Sequence, residues 1–145
     1  MTLVIDAGVV VAALVDDGPH GRWAESMLAS GPLAAPHLMP VEAANVLRRA
    51  CLAGTLGADS AQLAHADLLK LRVVLFGYES VAERVWSLRS AVTAYDACYI
   101  ALAEALDAPL ATMDLRLSHA PGPRCVFETP PVSEQRDPPC TRDAR

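Results

Sequence analysis

Four acidic side chains, Asp6, Glu42, Asp96 and Asp114, stand at positions where carboxylates do chemistry. Asp6 closes the apolar run Leu3-Val4-Ile5, and Asp114 follows the short run Pro109 to Thr112 by two residues. Glu42 falls in the first turn of a helical stretch opening at Pro40, and Asp96 in the first turn of one opening near Thr93. Each has an ordinary structural use. Asp6 and Asp114 suit helix N-caps, Thr93 to Asp96 has the form of a capping box, and Glu42 suits the positive end of its helix. Placed together on one rim, however, four carboxylates repel one another unless a cation neutralises them. Oxygen donors unaccompanied by His or Cys favour Mg²⁺ or Mn²⁺ over zinc. The chemistry such a group supports is metal-assisted attack of water on a phosphate ester.

Other uses of an acidic rim are disfavoured. A phosphorelay receiver needs an acidic pair after its first strand and a lysine late in the chain. Lys70, the only lysine, precedes the third predicted strand, and Asp16-Asp17 follows a helix. A phosphatase of the haloacid-dehalogenase type needs Asp-x-Asp after the first strand, but position 8 is Gly8. His20, His37, His65 and His119 form no constellation suited to metal-free RNA cleavage.

For the acids to meet, the segments between them must form a parallel sheet with helices on its faces, because ligands of such sheets bind beyond the carboxyl ends of the strands. The pattern agrees. Strands are expected at Leu3–Ile5, Leu33–Pro36, Arg72–Phe76, Pro109–Thr112 and Cys125–Phe127. Asp6-Ala7-Gly8 reads as a tight turn before a helix from Val9 to Val15. Further helices are expected over 21–30, 40–54, 58–71, 79–90, 93–107 and 114–120. This alternation predicts the α/β class. Trp23 and Trp86 read as core. Residues 1–127 form the expected domain, and 128–145 a flexible, Pro-rich tail.

The chain has 145 residues, enough for one domain of about 100–200 residues. With 52% hydrophobic and 20% charged residues it can bury a core. The net charge of −5 lies entirely in the first 120 residues and argues against a DNA-coating protein, though not against a nuclease whose metal site needs acids. Cys51, Cys98, Cys125 and Cys140 show no CxxC spacing, so reduced thiols are expected. No export signal or membrane-length apolar run is visible, which predicts a cytoplasmic protein without membrane contact.

The sequence resembles a PIN-domain ribonuclease, specifically a VapC-type toxin of a type II toxin–antitoxin pair. The resemblance rests on LVIDAGVVVAAL with Asp6, APHLMPVEAANVLRRA with Glu42, AVTAYDACYIALAEAL with Asp96 and PLATMDLRL with Asp114, in family order across residues 3–117. It implies a three-layer α/β/α fold with a short five-stranded parallel sheet, an RNA substrate, a homodimer and a VapB-type antitoxin covering the acidic crevice. On this reading Asp6, Asp96 and Asp114 hold Mg²⁺ or Mn²⁺, and Glu42 positions or deprotonates the attacking water. Thr112 and Asn45 support the site from behind, and Arg48, Arg49 and Arg116 hold phosphates. One departure stands out: the family commonly has a small hydroxyl or amide side chain where this chain has Gly8. The alternative is a catalytically silent PIN fold that binds RNA or protein without cutting.

Overall fold

Leu3–Ile5 forms β1, and all three of its residues are buried, as a strand covered on both faces requires. A computed structural model describes residues 1–132. After β1 come helices α1 (Ala7–Val15) and α2 (Pro19–Leu28), strand β2 (Leu33–Pro36), and helices α3 (Met39–Leu52) and α4 (Ala58–Lys70). Strand β3 (Val73–Phe76) follows, then a single 3-10 turn (Tyr78–Ser80) and helices α5 (Ala82–Ser87) and α6 (Ala94–Ala105). The chain continues through β4 (Leu110–Ala111), α7 (Leu115–Ser118) and β5 (Phe127–Glu128).

The strands form one parallel sheet in the order β3-β2-β1-β4-β5. Helix α6 lies across β1, β2 and β4 and carries α5, whereas α1 packs with α2, α3 and α4. The architecture belongs to the α/β class expected from the alternation and has the three-layer α/β/α arrangement that the family resemblance implies. After β1 the chain winds outward through β2 and β3, then returns to the other side of β1 as β4. The order therefore reverses between β1 and β4, which opens a crevice there. Asp6 and Asp114 stand just beyond these two strands, and the Asp6 amide donates to the Ala111 carbonyl at 3.2 Å.

The second helix packs tightly on the end of the first. A Cβ built on Gly21 would lie 1.7 Å from the Asp16 carbonyl oxygen, so only glycine permits this approach. On the other face, Arg84 of α5 clamps Glu104 of α6 with two hydrogen bonds, Nε to Oε2 at 2.7 Å and Nη2 to Oε1 at 3.1 Å. The Arg124 amide donates to the same Oε1 at 2.7 Å, tying the approach to β5 onto α6.

Several local expectations are corrected. There is no turn over Asp6-Ala7-Gly8: α1 begins at Ala7, because Asp6 caps it directly. The expected 79–90 helix is broken at Val81, whose φ of −125° and ψ of 0° separate the 3-10 turn from α5. Trp86 is 67% exposed rather than core. The last strand is Phe127–Glu128, so Glu128 belongs to the sheet and not to a tail. The tail expected over 128–145 otherwise lies mostly outside the described residues. Among those residues Cys51, Cys98 and Cys125 are free thiols. None of their helices is long and apolar enough to cross a membrane.

Candidate active site

Asp6 sits at the N-cap of α1 in extended conformation, and its Oδ1 accepts from the Val9 amide at 2.8 Å. That bond engages Oδ1, and the carboxylate retains further acceptor capacity. Asp114 caps α7 in the same way, accepting from the Arg116 amide at 2.9 Å, while the Arg116 guanidinium lies 3.4 Å from the same oxygen. Thr112, fully buried at the end of β4, joins these two acids. Its hydroxyl accepts from the Asp114 amide at 3.1 Å and faces Asp6, whose ionised form it favours.

Asp96 and Glu42 are held from α6 and α3. The Asp96 amide donates to Thr93 Oγ1 at 3.2 Å, the first half of the expected capping box. Three residues further along α6, the buried Tyr99 hydroxyl donates to Glu42 Oε1 at 3.0 Å. This bond fixes the Glu42 carboxylate toward α6, the helix that carries Asp96.

The electrostatics show which acids share a neighbourhood. Burial raises the Asp6 carboxyl above its ordinary value, and Asp96 and Asp114 raise it further against the opposing pull of Thr112 and Val9. Glu42 is raised by burial and by Asp96 and Asp6, with Tyr99 pulling the other way. Asp96 is raised by burial and by Asp114, opposed by Thr93 and Arg116. All four sequence-selected acids thus lie within one field, and among the described residues Arg116 is the cation acting on Asp96.

This donor set fits a hard divalent cation. It consists of carboxylate oxygens, and three of its members are raised by burial and by their acidic neighbours. Among the described residues, no three His, Cys, Asp or Glu side chains stand close enough together to hold a metal ion as they are. The acids are neighbours through charge rather than contact, and a bound divalent cation would supply an attraction between them.

Beside the acids opens a cavity of about 530 Å³, lined by Asp96, Asp114, Thr93, Arg89 and Arg116 among others. Of the arginines expected to hold phosphates, Arg116 lines it, while Arg48 and Arg49 are exposed on α3 and do not. Asn45 is exposed on α3, and among the described residues its side chain makes no hydrogen bond to the acids. Two contributors escaped the sequence reading, Tyr99 and Arg89. Tyr99 had a signal, since it sits three residues after Asp96 on the same helical face. Arg89 had none.

A Cβ built on Gly8 would lie 3.4 Å from Asp6 Oδ1 and 3.8 Å from Met113 Cγ, both ordinary contact distances. The space beside Asp6 therefore accepts a small side chain, and the glycine is not forced by crowding.

The PIN-domain family model matches residues 3–123. The chain belongs to this family. Within it, the chain falls in the VapC group. It is 38% identical over 129 residues to VapC ribonuclease Mb0985 of Mycobacterium bovis, covering 89% of this chain and 98% of that protein. It is 40% identical over 126 residues to Ribonuclease VapC1 of Mycobacterium tuberculosis, covering 86% and 95%. Its fold is similar to that of VapBC2 from Rickettsia felis bound to a promoter DNA fragment, with a TM-score of 0.62 at 14% identity over 89% of this chain and 98% of that one. Mycobacterium tuberculosis VapC20, a sarcin–ricin loop cleaving toxin, gives the same TM-score at 17% identity, covering 81% and 93%. The matched span of this PIN domain contains all four acids as well as Thr112 and Tyr99.

Proposed function

We propose that this VapC-group PIN domain is the toxin of a toxin–antitoxin pair and a metal-dependent endoribonuclease, hydrolysing RNA phosphodiesters at the Asp6, Glu42, Asp96 and Asp114 rim. The observation that carries the reading is the shared field of these four acids, with three of them raised by burial and by one another. The ribonuclease names of relatives spanning most of the chain supply the substrate class.

Asp6 and Asp96 are the principal ligands for Mg²⁺ or Mn²⁺, with Asp114 completing the set directly or through water. A bound divalent ion would lower the pKa of water and stabilise charge on the phosphate. Glu42, aimed by the Tyr99 hydroxyl, positions the attacking water and receives its proton. Thr112 keeps Asp6 and Asp114 in register across the β1–β4 crevice. Arg116, over the cavity, meets a phosphate of the bound strand. Water attack leaves a 5′-phosphate and a 3′-hydroxyl.

A VapB-type antitoxin that covers the rim and a homodimeric assembly complete the proposal, with the cytoplasm as its place of action. The complexes among the similar structures, VapBC2 and FitAB, motivate the antitoxin partner. The deciding experiment maps 5′ ends in total RNA after brief induction of wild type and Asp96→Asn. New 5′-phosphate ends in wild type alone support the reading. Cleavage that survives EDTA, or that leaves cyclic phosphates, overturns the metal mechanism.

A further inference from the structure

A second cavity adjoins the acids on the other side of the first turn of α6. It has a volume of about 430 Å³, within the range of about 300–1,000 Å³ common for small-molecule sites. Pro36, His37, Leu38, Tyr78, Tyr95 and Cys98 line it, with Glu79 at its edge and Ala94 beside Tyr95. The walls come from the carboxyl ends of β2 and β3, where the His37 amide donates to the Phe76 carbonyl at 2.9 Å, and from α6. It therefore opens on the same rim as the catalytic acids.

Helix α6 divides the two cavities residue by residue. Thr93 and Asp96 face the first, with Arg89 and Arg116, whereas Ala94, Tyr95 and Cys98 face the second. One cavity thus offers Arg89 and Arg116 beside Asp96 and Asp114, and the other offers aromatic rings. Tyr78 is 51% exposed and Tyr95 67%, so both rings present surface to a ligand rather than to the core. On the first side Arg89 is fixed, since its guanidinium lies 5.1 Å from the centroid of the exposed Trp86 ring and its Nη1 donates to the Trp86 carbonyl at 3.0 Å. A single strand of nucleic acid has the same division, charged phosphates alternating with flat bases.

We infer that the Tyr78–Tyr95 cavity receives one unstacked base of a single-stranded RNA whose adjoining phosphates pass Asp96 toward Arg89 and Arg116. Aromatic rings hold unstacked bases without sequence preference. The preference comes from Glu79, a lining carboxylate that accepts from the exocyclic amino group of adenine or cytosine, whereas uracil has no amino group and offers only its ring N3–H. Trp86 is a positioning residue here, acting through Arg89. The inference rests on the nuclease reading for its choice of RNA.

Binding is read without turnover, in a full-length Glu42→Gln background with Mg²⁺, by fluorescence anisotropy of labelled single-stranded A10 and U10. A10 is expected to bind more tightly than U10. Tyr78→Ala and Tyr95→Ala should each weaken A10 binding by about tenfold, with Tyr95→Phe close to the parent. Arg89→Ala should weaken A10 and U10 alike and lower the salt slope by about one, which the tyrosine variants leave unchanged. Tyrosine variants that bind A10 like the parent would overturn the inference. So would a changed mass in light scattering, which would mark the cavity as a contact between copies. Absence of cleavage by the wild type bears on the nuclease reading alone, because the A10 comparison does not depend on turnover.

Discussion

The Tyr99 hydroxyl donates to Glu42 across 57 residues of sequence, joining α6 to α3 at the edge of the acidic rim. Burial and the nearby Glu42 charge push the Tyr99 hydroxyl well above its ordinary pKa, so it remains a proton donor at any working pH. The bond lowers the Glu42 carboxyl, which burial, Asp96 and Asp6 raise. Tyr99→Phe should therefore shift the acid limb of the pH–rate profile to higher pH. It should also reduce kcat by about tenfold with less effect on KM, as expected when a general base loses its orientation. Parallel pH–rate profiles of the two proteins check this.

Asp6 carries a folding cost. Its carboxyl is raised on folding, so ionisation at neutral pH opposes the native state, and stability falls as pH rises from the unfolded value through the folded one. Asp6→Asn keeps the Val9 cap and removes the charge. In EDTA at pH 7 the variant should be more stable than wild type by about 1 kcal/mol, and it should not cut RNA. Mn²⁺ should raise the melting temperature of wild type and not that of the variant. A wild type indifferent to Mn²⁺ would favour the silent binding module.

Glu104 behaves oppositely. Burial alone would raise it, but Arg84, the Arg124 amide and the Arg124 charge together hold it below its usual value. Its contribution is present above the unfolded value near 4.5 and is lost as pH falls through the lower folded one. Arg84→Ala should cost about 2 kcal/mol at pH 7, because it strips the α5–α6 clamp from a mostly buried carboxylate. Urea midpoints of the two proteins at pH 7 and pH 3 should converge in acid.

Gly8 offers a gain rather than a loss. The space beside Asp6 admits a side chain at ordinary contact distance, and the position lies within the first turn of α1. Gly8→Ser should stabilise the fold by about 0.5 kcal/mol through backbone entropy and place a hydroxyl against Asp6. Tighter Mn²⁺ binding by calorimetry is the expected result. Weaker binding would show that the glycine itself suits this site.

The acids were legible because strand ends and helix starts are written locally. Asp6 ends an apolar run, Asp114 follows another, and Thr93 to Asp96 carries its own cap. Asp6 caps α1 through Oδ1 and at the same time lies in the field of Asp96 and Asp114, so capping and membership of the acidic rim coexist in one side chain. The Tyr99–Glu42 bond was hidden because nothing in either segment names its partner. Trp86 misled for another reason: an apolar type says nothing about which side of a short helix it occupies, and α5 turned it outward. The break at Val81 was equally hidden, because no Gly or Pro marks it.

The return of the chain to β1 sets a timetable for synthesis. Of the described strands β1 is made first, yet one of its two neighbours, β4, is made fourth, and Asp114 arrives just after it. A ribosome that has released residues 1–76 has produced β1, β2, β3, Asp6 and Glu42, but neither Asp96 nor the strand that closes the crevice. The four acids therefore come together only after the chain has emerged as far as Asp114, so an N-terminal fragment that stops at β3 lacks half of the rim.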